Sequence, residues 1–198
     1  MENDLTTYYK YRPYISPCDI LTWKGEGLTQ PVSYMIRIKV PDGYHDCCHI
    51  STVITSPQYA KRLMMMEAKG TTGVVPIAIS VRLANFKGKV WWHPMDKKAI
   101  ALNERIKMEK WLWDDAAFKP YDFKDCFKQA FAYVSSTAKA YFCSEMSSEA
   151  IRAGNNLLGI EGKTEIQKEA LEKFRKKLAL RPWDVPALPI FSDKVRIL

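Results

Sequence analysis

The chain has 198 residues, 47% of them hydrophobic and 26% charged, which suits one folded domain with a real core and excludes a disordered chain. No stretch approaches the roughly 20 apolar residues of a membrane-spanning helix, and Met1-Glu2-Asn3-Asp4 lacks the basic start and apolar run of a secretory signal. A cytoplasmic location is therefore expected, with release by lysis or another route for any target outside the cell. The net charge of +8 and pI near 9.2 permit an anionic partner. No zinc-finger, RNP-like or other nucleic-acid motif accompanies that charge, and Lys168, Lys173, Arg175, Lys176 and Lys177 read first as the solvated face of a helix.

In chain order, residues 1–16 read as an irregular, tyrosine-rich lead-in. Ile20-Leu21-Thr22-Trp23 predicts a short strand closed by a turn at Gly25-Glu26-Gly27, and Met35 to Val40 alternates like a second strand before the turn formers Pro41-Asp42-Gly43. His49 to Ile54, Arg62 to Ala68 and Gly73 to Leu83 predict neighbouring antiparallel strands, with Pro76 marking an edge or a break. Val90 to His93 adds one more.

From Asp96 the spacing turns helical, with Ile100, Ile106 and Trp113 at apolar positions, until Pro120 interrupts it. Helices are predicted over Asp122 to Val134, Cys143 to Ala153 and Glu165 to Leu178, with Gly154 placed to cap the second. Three prolines, Pro182, Pro186 and Pro189, precede a short strand at Val195-Arg196-Ile197. Strands followed by helices predict an α+β fold.

Tyr141-Phe142-Cys143-Ser144-Glu145 carries the clearest chemical suggestion. A cysteine that opens a helix meets unpaired backbone N–H groups and the positive end of the helix dipole, which pull a thiol pKa down from about 8.5. The same N–H groups can hold the oxyanion of an acyl-transfer intermediate. Such a thiol needs an imidazole and a group to orient it. Of the three histidines, His45 sits in a turn, His93 follows two tryptophans, and His49 opens a predicted core strand. Glu67 is the lone carboxylate in Leu63-Met64-Met65-Met66-Glu67-Ala68 and is costly to bury without a partner; a neighbouring strand carrying His49 supplies one.

Ordinary readings stand beside these. Cysteine is among the most buried residue types and most are inert; a histidine on a strand is often only hydrogen-bonded structure; Glu67 could simply end a strand. The cysteines number five, an odd count, so at least one thiol is free, and no CxxC pair occurs among them. His45, Cys47, Cys48 and His49 crowd one stretch, but their spacing fits no common zinc pattern.

The ordered set of motifs resembles the circularly permuted branch of the NlpC-type, papain-like cysteine hydrolases (YiiX-like proteins, related to lecithin:retinol acyltransferase-like enzymes). The matching stretches are Cys18-Asp19-Ile20-Leu21, His49-Ile50-Ser51-Thr52-Val53, Glu67-Ala68, Gly73-Val74-Val75, Pro120-Tyr121-Asp122, Phe142-Cys143-Ser144-Glu145 and Arg181-Pro182-Trp183-Asp184-Val185-Pro186, spanning roughly residues 17–190. In that branch the histidine precedes the cysteine, as here. Cys18 stands where the pattern has glycine, Ser51 where a glycine is usual, and Phe142 where a tyrosine often flanks the nucleophile; a long basic insertion occupies residues 155–180.

The resemblance implies a permuted papain-like domain over residues 1–198: an antiparallel sheet or half-barrel packed against helices, with the nucleophile at a helix N-terminus. It implies Cys143 as nucleophile, His49 as general base and then acid, Glu67 as orienter, and Tyr121 lining the site and donating to the oxyanion. Glu145, in the first turn, would steady the helix N-terminus while its charge opposes the thiolate. The implied reaction cleaves an amide or peptide bond, in bacterial settings that of a cell-wall (peptidoglycan-derived) peptide, through an acyl-enzyme and with no cofactor or metal. A lipid or acyl transferase, and a non-catalytic module binding an anionic polymer on the same fold, are the other readings.

Overall fold

The computed structural model describes residues 3–25, 40–59, 62–70, 72–121 and 142–198. Six strands form one sheet: β1 (Ile20–Gly25), β2 (His49–Thr55), β3 (Leu63–Lys69), β4 (Gly73–Ala78), β5 (Gly88–His93) and β6 (Val195–Arg196). Their spatial order is β4-β3-β2-β1-β5-β6, and every neighbouring pair is antiparallel. Five α-helices accompany them among the described residues: α1 (Thr6–Tyr11), α2 (Ile79–Ala84), α3 (Leu102–Trp111), α4 (Cys143–Gly154) and α5 (Glu165–Arg175). The protein is thus α+β, as its sequence predicts.

Both sheet faces are buried, because successive side chains alternate and both sets are apolar. Ile20, Ile50, Ile54, Met66, Ala68 and Val74 face a core shared with α3 and α4. Leu21, Trp23, Val53, Met65 and Val90 face a second core closed by Tyr8 of α1 and by Ile79 and Leu83 of α2.

Several expectations are corrected. Residues 6–11 form a helix rather than an irregular lead-in, since Tyr8 anchors them to the second core. The valine- and isoleucine-rich run from Gly73 to Leu83 divides: after Ala78 the chain turns helical, and Ile79 and Leu83, four apart, bury one face. Pro76 lies on the edge strand β4, where a missing N–H is tolerated. The helix expected from Asp96 begins at Leu102; Ile100 is buried ahead of it, whereas Ile106 points to solvent at 57% exposure. A single π-helical turn, Leu112–Ala116, carries the chain onward.

Gly154 is the last residue of α4, not its left-handed cap. A Cβ there would lie 2.3 Å from Met108 Cγ and 2.6 Å from Glu104 O, so glycine serves the close approach of α3 and α4. The predicted turn at residues 25–27, the strand at 35–40 and the helix at 122–134 fall wholly or largely outside the described residues. Among the described residues no helix is long and apolar enough to cross a membrane.

The basic run on α5 is less free than its sequence suggests. Lys173 is buried between Glu169 (2.7 Å) and Asp184 (3.1 Å), Lys168 pairs with Glu165 and Lys176 with Glu172, and Arg175 donates to the carbonyls of Leu157 and Ile160.

Candidate active site

Helix α4 packs against β2, an interior strand of the sheet. Phe142 enters it with extended backbone and supplies no side-chain cap, leaving first-turn N–H groups open to other acceptors. Cys143 follows, 4% exposed. Burial alone would raise its thiol pKa, but the charge and hydrogen bond of His49, then the N–H groups of Ile50 and Ser144, outweigh it and bring the pKa below the ordinary value. The favoured species is a thiolate facing an imidazolium.

His49 opens β2 and is partly exposed. The β2–β3 register pairs Thr52 with Met66 and Val53 with Met65. Continued by one step, it sets Ser51 opposite Glu67 and makes His49 and Glu67 diagonal neighbours on one face, within reach of an aromatic ring. His49 Nε2 lies 3.0 Å from Glu67 Oε1. The N–H is not aligned with the oxygen, so the contact is a charge pair before it is a hydrogen bond. With Nε2 turned to Glu67, Nδ1 is the nitrogen left for the sulfur. Burial lowers the His49 pKa, but Cys143 and then Glu67 more than compensate and lift it to about 10.

Glu67 is 1% exposed and stays ionised for two reasons. Burial pushes its pKa up, while His49 and then Arg82 pull it down to about 2. Arg82, from α2, brings its Nε 3.1 Å from Oε2 and a terminal nitrogen 3.1 Å from Oε1. Its guanidinium rests 5.2 Å from the ring centres of both Trp23 and Phe86. The site therefore contains a fourth charged group that sequence reasoning missed. Its signal was a lone arginine in an apolar run, concealed because that run was read as strand.

The structure thus brings together Cys143, His49 and Glu67. Tyr121 packs half-buried against the core cluster that includes Cys143, at the end of a segment that pairs with the edge of β4 through Phe118 N–H to Val74 O (2.7 Å) and Val74 N–H to Lys119 O (2.8 Å). Glu145 is buried in the first turn of α4. Ser51 accepts from Trp23 Nε1 at 2.9 Å, tying β1 to β2 beside the histidine. Cys18 has φ +70, the left-handed region where glycine is at ease.

His45 and His93 join no triad: both share the hydroxyl of Thr22. Cys47 and Cys48 are buried free thiols, and among the described residues no three His, Cys, Asp or Glu side chains gather as metal ligands. Comparison with protein families finds no family model that matches this chain, and comparison with curated proteins finds no match.

Proposed function

We propose that the chain is a thiol hydrolase, an amidase or peptidase of the permuted, papain-like NlpC type. The observation that carries this reading is the convergence of Cys143, His49 and Glu67, three residues far apart in sequence, into one charged cluster at a helix start.

Cys143 Sγ attacks the carbonyl carbon of an amide, and the negative charge passes to its oxygen. Backbone N–H groups at the start of α4 face that oxyanion, with Tyr121 as a second donor. As the C–N bond breaks, His49 gives its proton to the departing amine. Water then gives a proton to His49 and attacks the thioester, releasing the acid and the thiol. Glu67 keeps the imidazolium oriented throughout. Cell-wall peptides are the substrate class that the resemblance favours; if an alcohol or amine replaces water in the second step, the same site is an acyltransferase.

The test is the pH dependence of Cys143 alkylation by iodoacetamide, in wild type and in His49→Ala. The expected result is a thiol reactive well below pH 8.5 in wild type, with that low-pH reactivity lost in the variant. A protected thiol indifferent to His49 overturns the proposal and leaves a binding module as the better reading.

A further inference from the structure

A second polar cluster lies on the same sheet face as the nucleophile. The sulfur takes the N–H of Ile50 on β2. Thr22 of β1 stands directly opposite Ile50, and opposed residues share a face. On the far side of β1 runs β5, whose His93 stands opposite Ile20 on that same face. Cys47, buried nearby, lies within range of the charges of both Cys143 and Lys194. The cluster and the sulfur are therefore neighbours.

Its protons can be placed. Thr22 Oγ1 is 2.8 Å from His45 Nε2 and 2.9 Å from His93 Nε2, and Lys194 Nζ is 2.8 Å from His45 Nδ1. An ammonium only donates, so His45 Nδ1 accepts and the ring's one proton sits on Nε2. That proton goes to the Thr22 oxygen, whose own proton goes to His93 Nε2. Burial, then the charge of Lys194, hold His45 neutral with its pKa lowered to about 4; burial, then His45 and Lys194, lower His93 to about 3. The charged groups facing His45 are Lys194, Asp46 and Lys24, and Lys24 is already paired with Asp46.

Lys194 is exposed and rests against a ring nitrogen rather than a carboxylate among the described residues, while His45 is part-exposed beside it. An ammonium beside an unprotonated nitrogen is half of an anion site. A carboxylate arriving there accepts from Nζ, and, once His45 takes one proton from solvent, from Nδ1–H too. We propose that Lys194 and His45, backed by Thr22 and His93, form a carboxylate-binding subsite beside Cys143, selecting substrates that carry a carboxylate near the scissile carbonyl. This rests on the reading of Cys143 as nucleophile. Because one proton enters with each carboxylate, binding strengthens as the pH falls from neutral.

Iodoacetate and iodoacetamide alkylate sulfur through the same iodomethyl carbon, with loss of iodide, and differ in carrying a carboxylate or a neutral amide. The rate ratio of iodoacetate to iodoacetamide at Cys143 at pH 6 is expected to fall at least about fivefold in Lys194→Met and in His45→Gln, the low end for a charge-assisted hydrogen bond at a partly exposed site. An unchanged ratio overturns the subsite. A second arm does not need a reactive thiol: Cys143→Ala is titrated with acetate against chloride at equal ionic strength while the His45 ring is followed by NMR. A saturable shift with His45 protonating at higher pH, absent in Lys194→Met, supports the subsite even if neither reagent labels Cys143, in which case the nucleophile assignment alone falls. No shift beyond the chloride control overturns the subsite even if alkylation is fast.

Discussion

Glu67 holds two cations at once, and they compete for it. In Glu67→Gln the amide keeps the shape and loses the charge, so the imidazolium loses its second stabilising partner. Alkylation of Cys143 at pH 6 is expected to slow about tenfold, one pKa unit of lost coupling. Arg82→Met acts in the opposite sense on His49. With the guanidinium gone, the imidazolium is the only cation facing Glu67, so His49 keeps its proton to higher pH. In a pH profile of Cys143 alkylation taken with iodoacetate, the alkaline limb, set by His49 near 10, should move upward. Stability should fall by roughly 1–3 kcal/mol, less than the loss for a fully orphaned buried charge, because His49 remains as a partner. Urea unfolding alongside the pH profile separates the two roles: a loss of stability with no movement of the limb would make Arg82 scaffolding only.

The helix pair α3–α4 sets where Cys143 lies, and Gly154 decides how close that pair comes. Alanine at this position would gain up to about 1 kcal/mol in helix propensity. It would also place a methyl 2.6 Å from the Glu104 carbonyl, a backbone atom that cannot swing aside, and 2.3 Å from Met108 Cγ. The clash wins, and Gly154→Ala is expected to lose about 1–3 kcal/mol in denaturant unfolding. Sequence alone showed a glycine at a helix end and so suggested a cap; the close approach depends on a helix some fifty residues away and was not legible. The same division runs through the rest. Strands β1, β2, β3 and β5 were readable because short apolar or β-branched runs bounded by turn residues are local signals. Helix α2 was not, because Ile79 and Leu83 suit a strand equally well and only packing against Trp23 and Met65 decides between them. Cys143, His49 and Glu67 could be singled out because each is chemically odd in its own segment. Arg82 acquires its meaning only when α2 folds back over β3.

The net charge of +8 describes the whole molecule poorly as a binding surface, because the densest cationic segment is largely paired within itself. Its histidines make the protein's acid response more specific. His49 is raised to about 10, so the stability it contributes is complete below its unfolded value near 6.5 and is lost progressively as the pH rises from there through 10. It gives no slope in mild acid. Glu67 is depressed to about 2, so its contribution is present above about 4.5 and is lost progressively as the pH falls from there through 2. His45 and His93 are neutral in the folded protein, at about 4 and about 3, and take up protons near 6.5 once unfolded. Between pH 6.5 and 4.5 the unfolded chain therefore binds more protons at these two sites, and stability falls as pH falls, by up to about 1.4 kcal/mol per pH unit for each proton. Denaturant midpoints measured at pH 6.5 and 5 should drop clearly for wild type and much less for the His45→Gln, His93→Gln double variant. An equal drop in both would mean that the two imidazoles already carry protons in the folded state; His93 would then donate to Thr22, and His45 Nδ1 could no longer accept from Lys194.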